Sequence, residues 1–293
     1  MDWSVISKEI EAATLKAFFV THSRSISGGD ISDAYVLESP KSKYFVKINR
    51  ADRSDMFEAE YEGLQEIQKS NSIRVPAPIC CGNTPDYSFL VLEYIDFSPS
   101  RDSRSQEKLA QKIAEMHQYS AQKFGWCRGN TIGSTEQVNT QNDDWVSFYR
   151  THRLGFQRSL ALQRGASRAL VKVVDKLCDN LERFFTSYSP SPSLLHGDLW
   201  SGNYSFAGNG EPVIFDPATY FGDREADIAM TELFGGFSAS FYDAYNAAEK
   251  LDDGYVVRKD LYNLYHVINH FNLFGGGYER QAVSMGNKLL AEL

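Results

Sequence analysis

The chain has 293 residues, enough for one large domain or for two lobes sharing a cleft. Hydrophobic residues make up 42% and charged residues 23%, close to the globular average, so a packed core is expected. With 38 acidic against 30 basic side chains, a formal charge of −8 and no Lys/Arg cluster, nucleic acid and membrane surfaces are excluded as expected partners.

The four cysteines, Cys80, Cys81, Cys127 and Cys178, form no CxxC pair and read as free, mostly buried thiols of a reducing compartment. Asp2, Lys8 and Glu9 interrupt the start, which therefore does not read as a signal peptide. No apolar run approaches the roughly 18–20 residues of a membrane span. A cytoplasmic protein is the expectation.

Taken in chain order, Trp3 to Phe19 carries apolar residues at a helical period. Short β-rich stretches follow at Thr21–Ile26, Asp33–Leu37 and Tyr44–Ile48, separated by Gly28-Gly29-Asp30 and Ser39-Pro40-Lys41-Ser42, which predicts antiparallel strands joined by tight turns. A helix is predicted from Asp55 to Lys69, with Phe57, Tyr61, Leu64 and Ile67 on one side, stopped by Val75-Pro-Ala-Pro78. Phe89–Leu92 reads as a buried strand leading into Glu93-Tyr94. Beyond about residue 100 the patterns become helical: Leu109, Ile113, Met116 and His117 share one face, and Val171 to Phe185 repeats apolar positions as one helix. Two further helices are predicted at the C-terminal end, split by Gly275-Gly276-Gly277. The fold class is α+β: a small β-rich lobe over residues 1–92, then a larger, mainly helical lobe over residues 93–293.

The segment His196-Gly-Asp198-Leu-Trp200-Ser-Gly-Asn203, followed by Val213-Ile-Phe-Asp216, carries the chemistry. It sets an acid, an amide five positions on, and a second acid thirteen positions further, directly after a short apolar strand. Phosphoryl transfer needs a carboxylate to orient the acceptor hydroxyl and take its proton, and oxygen ligands for Mg²⁺ on the triphosphate. The kinase template assigns these jobs to Asp198 for the proton, and to Asn203 and Asp216 for the metal. Upstream, the alternating strand Tyr44-Phe-Val-Lys47-Ile48 offers one lysine for the ATP phosphates, and a buried ammonium requires an anion. Glu60 is preferred as that anion because it lies beside Phe57, Leu64 and Ile67; Glu58 and Glu62 are its rivals. Gly28 and Gly29 would let backbone N–H groups approach phosphate, although they equally suit a hairpin turn. Leu92, Glu93 and Tyr94 sit where extended backbone pairs with an adenine edge. His117, on an apolar helix face, reads as a core residue, and His196 as a brace for its loop. Asp227, at the start of a predicted helix, is a candidate acceptor for backbone N–H groups of the catalytic loop.

These residues resemble the fructosamine kinase (ketosamine-3-kinase) family: HGDLWSGN at 196–203, DPA at 216–218, GDREADIAMTELFGGF at 222–237, YFVKINR at 44–50, MFEAEYEGL at 56–64, and QVN at 137–139 with DDWVSFYRTHRL at 143–154. The HGD…N core is shared with aminoglycoside phosphotransferases and choline kinases. The resemblance implies a protein-kinase-like two-lobe fold and ATP- and Mg²⁺-dependent phosphorylation of the 3-hydroxyl of a ketosamine, free or on a protein lysine, as in deglycation. It also implies a Lys47–Glu60 pair, adenine contacts at Leu92 to Tyr94, and Trp200 as a wall of the sugar pocket. Many relatives carry a cysteine in the phosphate loop where this chain reads Gly28-Gly29-Asp30, so redox control through that loop is not expected here. The alternatives are a kinase for another hydroxylated amine, such as an aminoglycoside or amino alcohol, and a non-catalytic nucleotide-binding scaffold.

Overall fold

The computed structural model describes residues 2–26, 31–98 and 102–293, so the predicted phosphate-loop residues Gly28 and Gly29 lie outside the described residues. The chain opens with α1 (Ser4–Thr14), β1 (His22–Ile26), β2 (Asp33–Glu38), β3 (Lys43–Arg50), α2 (Ser54–Lys69), β4 (Pro78–Asn83), β5 (Tyr87–Glu93) and the short β6 (Phe97–Ser98). Five of these strands form an antiparallel sheet in the order β1-β2-β3-β5-β4. Because side chains alternate along β3, Val46 and Ile48 join Ile6, Ile10 and Phe18 on one face. Phe45 and Lys47 take the other face and line the cleft. On α2, Phe57, Leu64 and Ile67 are buried in the main core, each contributing about 1.5–3 kcal/mol by burial. Glu60, one turn from Phe57 and Leu64, is carried towards Lys47.

Next come α3 (Ser103–Gln118), the hairpin β7 (Asn130–Ile132) and β8 (Thr135–Gln137), α4 (Trp145–Tyr149), a widened π-helical turn over Arg150–Gly155, α5 (Phe156–Gln163) and α6 (Arg168–Asp179). The chain then forms β9 (Ser193–Leu195), β10 (Tyr204–Ala207), β11 (Pro212–Ile214), β12 (Tyr220–Gly222), α7 (Glu225–Leu233), α8 (Ala239–Ala248), α9 (Tyr255–Phe274) and α10 (Tyr278–Ala291). Asp102, Asp144 and Ser167 cap α3, α4 and α6 by accepting backbone N–H groups of Ser105, Ser147 and Leu170. The small sheets decide where the site forms. Strand β9 pairs with β12, and β10 pairs with β11, all antiparallel. Residues 196–203 and 215–219 therefore run side by side, tied by backbone bonds from Phe215 N–H to the Asn203 carbonyl (3.0 Å) and from Ala218 N–H to the His196 carbonyl (2.8 Å).

Four sequence expectations change. The first helix ends at Thr14 instead of Phe19: Leu15 turns left-handed, the Glu11 carboxylate accepts the Phe18 N–H, and the Phe18 ring is buried with the sheet core. The stretch from Val171 to Phe185 is not one helix, because Asn180 closes α6 through its side-chain bond to the Lys176 carbonyl and a 3₁₀ turn follows over Leu181–Phe185. The segment read only as a helix stop continues into β4, an edge strand whose first residue is proline. The cysteines are free, but Cys127 is exposed and the other three are only partly buried. Burial pushes Cys80 up to about 12 and Cys81 and Cys178 up to about 11, which keeps these three as unreactive thiols.

Helix α2 approaches the second acid-bearing loop at Gly63, where an added Cβ would lie 3.1 Å from Thr219 Oγ1 and 3.3 Å from its Cβ. Replacing Gly63 by leucine should push α2 away from residues 217–219. We expect a loss of about 1–3 kcal/mol in urea unfolding, as for overpacking generally, together with weaker nucleotide binding by calorimetry. Unchanged nucleotide affinity would show that this helix-to-loop contact does not set the site.

Candidate active site

A cleft of about 720 Å³ lies between the sheet and the two adjacent loops. Lys47, Glu60, Asp198, Asn203 and Asp216 all line it, as do Leu92, Glu93, Tyr94 and Trp200. Residues separated by more than 150 positions are thus gathered into one space.

The Lys47 ammonium stands 2.6 Å from Glu60 Oε1 and 2.6 Å from Asp216 Oδ1. Burial alone works to lower the lysine's pKa, but the Asp216 and Glu60 carboxylates outweigh it and raise it above the ordinary lysine value. Burial, reinforced by Asp216 and opposed by Lys47, raises Glu60. The rivals Glu58 and Glu62 both face Arg128 instead.

Asp198 sits on a loop held from behind. Gly197 has φ +82°, and a Cβ there would fall 2.1 Å from the Ala218 carbonyl oxygen, so only glycine fits. The buried Asp227 carboxylate accepts the His196 N–H (2.7 Å) and the Gly197 N–H (2.8 Å). Burial works to raise Asp227, yet His117, His196 and the Gly197 N–H more than offset it, and its pKa is lowered. His196 is fully buried: Nε2 donates to the Phe215 carbonyl (2.9 Å) and Nδ1 accepts the Asp198 N–H (3.2 Å). Burial lowers its pKa, which keeps it neutral, so it acts as a brace between the backbones of the two acid loops. His117 is likewise internal, bonded to Tyr245 and Asp227.

Burial pushes the Asp198 carboxyl up to about 7; Asp216 and Asp227 add to the rise, and a bond from Asn203 Nδ2 to Asp198 Oδ2 (3.0 Å) opposes it. A carboxylate poised near neutrality suits a general base. Because Asn203 donates through its nitrogen, its Oδ1 remains as an oxygen donor. Asp216 is half-exposed, held at the left-handed φ of 58°, and Lys47 engages only its Oδ1. No group of three or more His, Cys, Asp or Glu among the described residues can hold a metal by itself. A site with an amide oxygen and a carboxylate oxygen fits a hard cation that keeps waters and phosphate oxygens, as Mg²⁺ does.

Several site residues were not legible in the sequence. Asn130 Nδ2 donates to the Thr219 carbonyl (2.8 Å) and Gln137 Nε2 to the Ala218 carbonyl (3.0 Å). Asn139 Nδ2 bonds Asn130 Oδ1 (2.9 Å), and the fully buried Arg153 donates to Asn139 Oδ1 (2.8 Å) while its guanidinium stacks 4.1 Å from the Tyr220 ring centre. This network anchors the loop that follows Asp216. Three amides within ten positions, and the resembling segments at 137–139 and 143–154 in which Gln137, Asn139 and Arg153 lie, were its sequence signal, and neither showed what these side chains hold. Phe97 and Phe215 stack with centres 5.4 Å apart and both line the cleft. At Glu93, the N–H is bonded to the Ala77 carbonyl and the carboxylate to Arg74, so its side chain is already engaged.

The raised Asp198 carboxyl has a stability consequence. Its folded pKa of about 7 lies above the unfolded value of 3.8, so the folded state gains protons relative to the unfolded chain, and stability falls as pH rises through that interval. Asp198→Asn removes the titration. The variant should melt a few degrees above wild type at pH 8, with the gap closing near pH 4. Differential scanning calorimetry across that range checks it; a gap independent of pH would contradict the burial of this charge.

The chain matches the fructosamine kinase family over residues 2–292. It is 45% identical over 284 residues to a Synechocystis protein named "Probable ketoamine kinase", covering 97% of this chain and 95% of that one. It is 44% identical over 273 residues to the chloroplastic protein-ribulosamine 3-kinase of Oryza sativa subsp. japonica, covering 92% of this chain and 79% of that protein. A solved Haemophilus somnus structure that carries a fructosamine-3-kinase name superposes with a TM-score of 0.89 at 29% identity, covering 98% of this chain and 97% of that one. The kinase-like fold extends to solved aminoglycoside phosphotransferases, at an identity where only the fold is shared. This chain, with its antiparallel N-terminal sheet and helical remainder, is a kinase and belongs to the fructosamine kinase family.

Proposed function

We propose that the protein transfers the γ-phosphate of ATP to the sugar 3-hydroxyl of a ketosamine, with Asp198 as proton acceptor and Asn203 and Asp216 as Mg²⁺ ligands. The observation that carries this reading is the convergence of Lys47, Glu60, Asp198, Asn203 and Asp216 on one cleft, in a chain similar to ketoamine and ribulosamine kinases. Residues 1–92 would supply most of the nucleotide site, with adenine against Leu92 to Tyr94, and residues 93–293 the catalytic loop and acceptor site. Free cysteines support a reducing compartment, the cytoplasm in our reading, and no helix among the described residues is long and apolar enough to cross a membrane.

Mg²⁺, when bound, neutralises the phosphate oxygens and so stabilises the charge of the transferring group. Lys47, oriented by Glu60, holds the phosphates from the sheet side. Asp198 accepts a hydrogen bond from the acceptor hydroxyl and takes its proton as the new O–P bond forms. The bond between the γ-phosphorus and the bridging oxygen breaks, and ADP leaves with that electron pair. Asn203 keeps the Asp198 carboxylate turned into the cleft, and His196 and Asp227 hold its loop still, so little reorganisation remains for the transition state. A 3-phosphate on a ketosamine sets up release of the amine, which makes deglycation the outcome we infer.

A phosphate-transfer assay with ATP and fructosyl-, ribulosyl- and erythrulosyl-lysine beside kanamycin and choline tests the acceptor class. Turnover of the lysine adducts is expected; turnover of kanamycin or choline alone would overturn the reading. Asp198→Ala should lower kcat by orders of magnitude with Mg-ATP affinity largely kept. Asp216→Ala should instead abolish the Mg²⁺-dependent part of nucleotide binding in calorimetry, and normal Mg-ATP affinity in that variant would remove Asp216 from the metal site.

A further inference from the structure

In-line transfer places the acceptor oxygen opposite the leaving diphosphate. With adenine against Leu92–Tyr94, the acceptor enters on the Asp198 side of the cleft, and Trp200, two residues on from Asp198, is part of its lining. Trp200 is also the first ring of a row that leaves the cleft. Phe234 packs edge-on to it with centres 6.3 Å apart, His270 lies 5.2 Å from Phe234, and Tyr278 and Phe274 lie 5.1 Å and 5.7 Å from His270. Three of the five rings are exposed, Trp200 at 38%, Phe234 at 45% and Phe274 at 61%, while His270 and Tyr278 are half-buried beneath them and Tyr278 packs against the core. Exposed rings in contact with one another, continuous with a reaction cleft, are a binding surface in waiting.

The row is also held in register with the chemistry. Phe234 enters the Gly235-Gly236 turn, where a Cβ on Gly236 would fall 2.3 Å from Ser201 Cβ, and the Tyr204 hydroxyl donates to the Gly236 carbonyl (2.8 Å). The turn is thus clamped onto the catalytic loop. On α9, His270 and Phe274 stand one turn apart, and His270 Nδ1 donates to the His266 carbonyl (2.7 Å), fixing its ring.

We propose that this aromatic row binds the peptide chain on either side of a sugar-modified lysine, and that the enzyme prefers such adducts within peptides carrying an aromatic or large aliphatic neighbour. The inference rests on the ketosamine reading above. In that substrate the amine lies two carbons from the carbon bearing the reacting hydroxyl and is a secondary ammonium, which an aromatic face attracts. Beyond it runs the apolar four-carbon lysine stem, comparable in length to the step from Trp200 to Phe234. The peptide backbone then arrives over Phe234 and His270, and a flanking apolar side chain meets Phe274 and Tyr278.

The test is the ratio of kcat/KM for a ribulosyl-lysine peptide flanked by phenylalanine to that for the same peptide flanked by glycine, in wild type, Phe234→Ala, Phe274→Ala and Val256→Ser. Val256 is an exposed apolar residue near the opposite end of α9, outside the row, and controls for general loss of surface hydrophobicity. The wild-type ratio should exceed one and fall by about two- to tenfold in each phenylalanine variant, the range of a lost aromatic contact, and Val256→Ser should keep it. A wild-type ratio of one, or a ratio unchanged in both phenylalanine variants, overturns the subsite while leaving the ketosamine reading intact. No turnover of any lysine adduct by wild type would instead remove the ketosamine reading, and this inference with it.

Discussion

The ammonium of Lys47 joins three parts of the chain at one point inside the cleft. It is carried by a central sheet strand, and its two anions come from α2 and from the loop after β11. Taking an ammonium out of water is costly, and one carboxylate rarely repays it. Two carboxylates at hydrogen-bonding distance do, and they also specify the relative placement of sheet, helix and loop.

A second layer braces the Asp198 loop from behind, and of its side chains only Asn130 reaches the lining of the cleft. Asp227 takes up two backbone N–H groups, His196 bridges the backbones on either side, and the amide network from Arg153 to Asn130 anchors residues 218–219. Every such group is buried, where an unmet donor or acceptor is expensive. That expense makes the loop geometry rigid, and rigidity is what positions a carboxylate of raised pKa without allowing it to relax towards solvent.

The segments that carry the family resemblance do not all reach the cleft. In the DDWVSFY stretch, Asp144 caps α4, and Trp145, Phe148 and Tyr149 are buried against Phe124, Tyr220 and Tyr262. They form the floor on which β12 and α9 rest. The turn containing Phe234, by contrast, lies on the surface and against the catalytic loop. Two segments that both carry the resemblance thus sit in different surroundings, one in the packed interior and one on the surface beside the cleft.

Legible in one dimension were the two acids Asp198 and Asp216 that share the cleft, the amide between them, the lysine strand, the alternation that turns Lys47 away from the sheet's apolar face, and the pairing of Lys47 with Glu60 over its neighbours. Each of these follows from local spacing and periodicity, which a single segment carries. Tertiary structure decided the end of α1, the extra strand β4, the pairing of β9 with β12, the amide network behind Asp216 and the run of rings from Trp200 to Tyr278. These depend on which distant groups are available to satisfy a buried polar atom or to cover a ring. Such partners are set by the packing of the whole chain and leave no periodic trace in any one stretch of it.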